Sequence, residues 1–141
     1  MRLSRLSAVV LAVVTIGAFG TATANAAPAS SGGGCATDPY SPFVESCISA
    51  SGSHLEPNLY VLDNSGCAYV SVQVLNGVNG AVVWHDDRVT NGCALGIHGP
   101  WALDTANSGV VDGGTYFTVA TMTLTDNLYY GEPSPDETLS Y

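Results

Sequence analysis

The 141-residue chain contains no lysine, and its only cationic side chains apart from histidine are the arginines at positions 2, 5 and 88. Twelve acidic residues oppose them. Phosphate backbones are held by clustered cations, so nucleic acid is excluded as a partner, and an anionic membrane surface with it. Beyond the first twenty residues there is no long apolar run. No segment of useful length there carries helical periodicity either. No C-x-x-C pair, H-E-x-x-H run or G-x-S-x-G elbow occurs, so the sequence signatures of zinc sites, metalloproteases and α/β-hydrolases are missing.

What is present begins with an export signal over residues 1–26. Arg2 and Arg5 form a positive start, Leu6 to Phe19 an apolar stretch, and Ala24-Asn25-Ala26 a small-x-small cleavage pattern. The arginines are separated, which does not fit a twin-arginine address. The apolar stretch is short for a membrane span. No cysteine lies near the cut and no hydrophobic tail ends the chain. The expectation is therefore release into the extracellular medium. Cleavage would leave Arg88 against twelve acids, a formal charge of −11. Electrostatics then favour cationic proteins, metal ions or neutral glycans as partners, although acidity also serves solubility alone. Residues 27–34, APASSGGG, read as a flexible lead-in, with one domain over 35–141.

The four cysteines, Cys35, Cys47, Cys67 and Cys93, all lie beyond the signal. An even count in a small exported domain points to two disulfides. Three pairings are possible. Cys35–Cys47 with Cys67–Cys93 is favoured because each closes a short local loop, and no thiol then remains for cysteine catalysis.

Short strands separated by Gly, Asn and Asp turns recur along the chain. Ala68 to Leu75 is the clearest, with Val70, Val72 and Val74 on one face and Tyr69, Ser71 and Gln73 on the other. Asn76-Gly77-Val78-Asn79-Gly80 turns it into a partner strand over Ala81–Val89, whose first half reads as buried and whose second half reads as a wet rim. Phe43–Ala50, Leu59–Leu62, Cys93–Ile97, Thr115–Thr125 and Leu128–Tyr130 are further strand candidates. Cys35–Cys47 reads as a proline-bearing loop, Trp101–Asn107 as a helical turn or a loop, and the tail as frayed or an edge strand. The fold class is all-β, a single immunoglobulin-like antiparallel sandwich of about seven strands. The leader, the lack of lysine and the strand Gly114-Thr115-Tyr116-Phe117-Thr118-Val119-Ala120 resemble the small exported β-proteins of high-GC Gram-positive bacteria. That resemblance implies export and a disulfide-bonded β-domain, and it carries no catalytic residue over.

The densest polar cluster is His85-Asp86-Asp87-Arg88. Two carboxylates are a start for a calcium site, but neighbouring strand residues face opposite ways. A solvated strand end is expected, with Asp86 and Arg88 sharing a face and able to form a surface ion pair. His54, His85 and His98 sit in separate segments without ligand spacing. Among the aromatics, Trp84 and Phe117 read as core and the tyrosines as half-buried. Tyr69 faces away from the valine row, and Tyr129 and Tyr130 are undecided. The loop Asn91–Trp101 is stiffened by Gly99-Pro100 and anchored at Cys93, which suits a pre-organised binding loop. The expected function is a secreted, non-enzymatic binding module for an extracellular protein or glycan, with Tyr69, His98 and Trp101 as possible binding residues. No cofactor, metal or catalytic residue is expected. The alternatives are a protease inhibitor using 91–101 and a small hydrolase or calcium-dependent glycan binder using 85–88.

Overall fold

A computed structural model describes residues 31–40 and 42–140. The leader at 1–26 lies outside the described residues. The strands are β1 (Ser31–Gly32), β2 (Gly34–Thr37), β3 (Val44–Ser51), β4 (His54–Val61), β5 (Cys67–Asn76), β6 (Val82–Asp86), β7 (Gly96–His98), β8 (Thr115–Leu124), β9 (Tyr129–Tyr130) and β10 (Glu137–Thr138). They form two antiparallel sheets. One runs β2-β3-β4-β7, and the other runs β1-β10-β8-β5-β6 with β9 beside β8. Nine strands thus lie on the two paths, with β9 as a short addition, rather than about seven.

Alternation decides the core. On β5 the valines at 70, 72 and 74 are buried, and on β8 Tyr116, Thr118, Ala120 and Met122 are buried. Val44, Leu59 and Val61 of the smaller sheet pack with Val70, Val72, Ala120 and Met122 of the larger one. Ile48 and Leu55 meet Val74, Tyr116 and Leu139 in a second cluster. Both sheets therefore share the core. Trp84 is partly buried against both clusters, but Phe117 is not core. The inward parity of β8 belongs to Tyr116 instead, whose hydroxyl accepts a hydrogen bond from the Val111 amide at 2.7 Å. With its polar end satisfied, the ring is free to be buried.

The outer edge of β8 is covered piecemeal. β10 pairs at Thr115 and Tyr116, and β9 at Met122 and Thr123. Between them the Thr118 amide donates to Ser134 Oγ (2.9 Å) and the Ala120 amide donates to Ser46 Oγ (2.8 Å). The second of these bonds ties the sheets together across 74 positions of sequence. Without such partners the edge would hold unpaired main-chain donors.

Other elements depart from the sequence expectations. β1 and the start of β2 fall within the stretch read as a flexible lead-in, because main-chain pairing needs no side chain. Gly33 has a φ of 75°, and a Cβ there would strike the Glu137 carboxylate and, at 2.6 Å, the Ile48 carbonyl. The segment read as a loop from Cys35 begins as strand β2, with Cys35 opposite Cys47. β4 runs through Pro57, beyond the reach of β7, where the neighbour is the Trp101 amide donating to the Pro57 carbonyl. β6 ends at Asp86, and its first half is not deeply buried: Val82 is exposed. β7 begins three residues later than read, since Cys93 to Leu95 is spent on turns. The tail is neither frayed nor an edge: β10 lies between β1 and β8, and Leu139 is buried. Residues 101–107 are extended and then turn, with Leu103 bridged to Leu55.

Candidate functional site

After β6 the chain forms a strap from Arg88 to Trp101 that connects the larger sheet to β7 of the smaller one. Its first half is pinned to β5. The Val89 amide donates to the Val70 carbonyl at 2.9 Å, and the Val89 side chain is buried in the core. The Gly92 amide returns to the Val89 carbonyl and the Ala94 amide to the Asn91 carbonyl, which makes two tight turns. Asn91 takes a φ of 55°, a region asparagine tolerates better than most residues. Gly92 is buried where a Cβ would meet the Val89 carbonyl at 2.9 Å and Val70 Cβ at 3.1 Å.

Both disulfides of the favoured pairing are present, Cys35–Cys47 and Cys67–Cys93. The second fixes the strap to the first residue of β5. Asn64 adds a side-chain bond, its Nδ2 donating to the Cys93 carbonyl at 3.0 Å. Asn64 stands in a turn where Asp63 accepts from Ser65, hydrogen bonds that hold the Asp63 carboxyl below its ordinary range. Further on, His98 Nε2 lies 2.8 Å from the Ala94 carbonyl and donates to it in the Nε2-protonated tautomer. Trp101 closes the strap, its ring centroid 5.4 Å from that of Trp84.

Two open grooves border the strap. The first, of about 580 Å³, is lined by Tyr69, Arg88 and Asn91 to Ala94. The second, of about 350 Å³, is lined by Asp86, Thr90, Ile97, His98 and Trp101. Val89 borders both. The three expected binding residues are therefore divided, Tyr69 in the first groove and His98 with Trp101 in the second.

The polar cluster at 85–88 resolves in an unexpected way. Asp86 does not pair with the Arg88 side chain. Its Oδ1 accepts from the Arg88 backbone amide at 3.1 Å. The guanidinium instead lies over the Tyr69 ring, with Cζ 4.8 Å from the centroid. Asp87 is near His85 at 3.7 Å, with both side chains largely exposed. His54 and Asp104 form a similar pair at 3.6 Å. Cys35, Glu45 and Cys47 present ligand-type atoms within 4.8 Å of one another. Both sulfurs are in a disulfide, so they offer no thiolate to a metal.

Arg88 is the groove residue that sequence reasoning missed. Its signal was visible, since it is the one cation outside the leader. Strand parity assigned it to Asp86 because the bend after Asp86 could not be read from spacing. Comparison of the chain with protein-family models, with curated proteins and with solved structures finds no match in any of the three.

Proposed function

We propose that this is an exported, non-enzymatic binding module that engages an extracellular partner with the strap from Arg88 to Trp101. One observation carries the reading. Leu95 and Ile97 are 63% and 52% exposed on a segment held by a disulfide, by Asn64 and by the β4 ladder. Apolar side chains on a backbone already fixed lose little further entropy when a partner covers them. Flanking grooves supply relief for that partner, and aromatic Trp101 is of the type enriched at interfaces. Export is part of the proposal. It rests on the leader and is compatible with two disulfides. We also infer an immunoglobulin-like sandwich, supported by the two antiparallel layers with a shared core.

The test is retention on purified partners. Native protein and a Leu95→Asp/Ile97→Asp double variant are compared by biolayer interferometry and pelleting. The partners are peptidoglycan, chitin, cellulose and a panel of cationic secreted proteins. The native chain is expected to be held by at least one of them, and the variant about tenfold more weakly, equal to about 1.4 kcal/mol. Retention by none, or equal retention of the variant, overturns the reading. N-terminal sequencing of protein from culture medium checks export, with Ala27 expected as the first residue.

Leu95 also favours a second reading, a protease inhibitor. It stands between the Cys93 anchor and β7 with an exposed apolar side chain. Stoichiometric inhibition of a secreted protease with an apolar specificity pocket, transferred to a trypsin-like enzyme by Leu95→Lys, would select this reading over a passive binding module.

A further inference from the structure

The first groove carries a proposal of its own, which needs no partner at Leu95 or Ile97. A chain with twelve acidic residues and one arginine beyond its leader would be expected to neutralise that arginine internally. It does not. Among the described residues the Arg88 guanidinium makes no hydrogen bond and no ion pair. The two ion pairs found there are both between histidine and aspartate. Asp86, which shares the strand parity of Arg88, accepts from the Arg88 backbone amide through Oδ1 instead. The guanidinium is held on the Tyr69 ring at 4.8 Å and lines the groove. Stacking on an aromatic face orients the planar fork without using its donors.

We propose that this groove binds a small monocarboxylate with an apolar body, the carboxylate on the Arg88 guanidinium and the body along Ala68, Tyr69 and Ala94. A guanidinium presents paired N–H donors that match a carboxylate in a bidentate contact. The groove, at about 580 Å³, is much larger than a carboxylate needs. Its Ala68, Tyr69 and Ala94 walls offer apolar surface to the remainder of a ligand. The overall negative charge selects against dianions, since repulsion from the acidic surface scales with ligand charge while only one cation attracts. Salt screens the distant acids beyond about 10 Å at 0.1 M but screens the contact with Arg88 far less. A free small acid and the C-terminal carboxylate of a peptide share this chemistry.

The Arg88 Nε–Hε cross-peak in a ¹⁵N spectrum of the full chain reports binding directly, and its loss in Arg88→Lys assigns it. The probes are N-acetylphenylalanine, the same compound as its amide, the peptide Ala-Ala-Phe with a free C-terminus, and inorganic phosphate. N-acetylphenylalanine is expected to shift the peak saturably with a Kd of about 1 mM. The amide should bind at least about tenfold more weakly. Backbone shifts at Tyr69 and Gly92 should follow the same curve in the native protein and weaken in Arg88→Lys, whose remaining spectrum stays native. A saturable shift with Ala-Ala-Phe as well identifies peptide C-termini as a source, whereas its absence restricts the site to free acids. The proposal is overturned by an equal response to the amide, by tighter binding of phosphate, or by no saturable shift with either carboxylate up to about 50 mM. Loss of partner binding in the Leu95 and Ile97 variant leaves this titration unchanged, so the two readings fail separately.

Discussion

The two disulfides sit in contrasting surroundings. Cys35–Cys47 joins residues already opposite each other in the β2–β3 ladder, with main-chain pairing from Gly34 to Thr37 on the same strand. Cys67–Cys93 ties the start of β5 to a strap that, until β7 begins, is held otherwise by two turn bonds, one main-chain bond from Val89 to Val70 and the Asn64 side chain. The first reinforces a backbone that pairing already holds. The second shapes a backbone that no ladder specifies, and both grooves border that segment. A covalent link contributes most to geometry where secondary structure contributes least.

The comparison is broken most severely by removing each bridge. By the chain-entropy relation, Cys67→Ala/Cys93→Ala should lose about 3.5 kcal/mol and Cys35→Ala/Cys47→Ala about 3 kcal/mol, measured by urea denaturation. These totals are close, so local opening is the sharper readout. Hydrogen exchange at Gly92 and Ala94 should rise sharply in the first variant, while amides of β3 should keep their protection in the second. Equal local effects would remove the distinction.

Next in size comes the contrast between core and strap. Leu59 is fully buried in the cluster shared by the sheets, and Leu95 is exposed. Leu59→Ala should cost about 3 kcal/mol, and Leu95→Ala within about 0.5 kcal/mol of nothing, in the same unfolding experiment. A large loss at Leu95 would mean that the strap is part of the core rather than a surface element. Ser46→Ala leaves the Ala120 amide buried without its acceptor, with an expected cost of roughly 1–3 kcal/mol. A cost near zero would show that the link between the sheets is dispensable.

The smallest expected effect is one of pH. Glu137 is 4% exposed, and its Oε1 has no hydrogen-bond partner among the described residues. Burial pushes its carboxyl above the ordinary 4.5. With the folded pKa raised above the unfolded one, the folded state binds the proton more tightly. Its contribution is then fully present below the unfolded value and declines as pH climbs through the folded one. Glu137→Gln should flatten the fall in melting temperature between acidic and neutral pH. An unchanged pH profile would locate the dependence in other carboxyls.

The elements legible in the sequence were those with local causes. The valine row at 70, 72 and 74 marked β5, since alternation on one strand directly selects its buried face. The asparagines and glycines at 76–80 marked the turn into β6, where Asn76 Oδ1 accepts from the amides of Val78 and Asn79. β4 was read as Leu59–Leu62 alone, whereas it begins at His54 and passes through Pro57, which has no amide to donate. Whether that matters depends on which strand lies alongside, and β7 reaches only to Leu59. Phe117 and Tyr116 exchanged places because β8 has strand-forming residues on both faces. Local hydrophobicity ranks phenylalanine first, but the Val111 amide makes tyrosine the better buried residue. The candidate site was only half legible. Tyr69, His98 and Trp101 all line grooves, yet their division between two grooves and the release of Arg88 from Asp86 arise from the bend after β6.

By itself the sequence pointed to the all-β class, favoured the cysteine pairing that forms and set the net charge of −9, because periodicity, loop length and charge are read from the residues alone. The tertiary structure alone decided the sheet order, the Ser46–Ala120 link across 74 positions and the stacking of Arg88 on Tyr69. Each of these depends on residues brought together from distant segments, where main-chain donors and one charged side chain take whichever partner the packing leaves within reach.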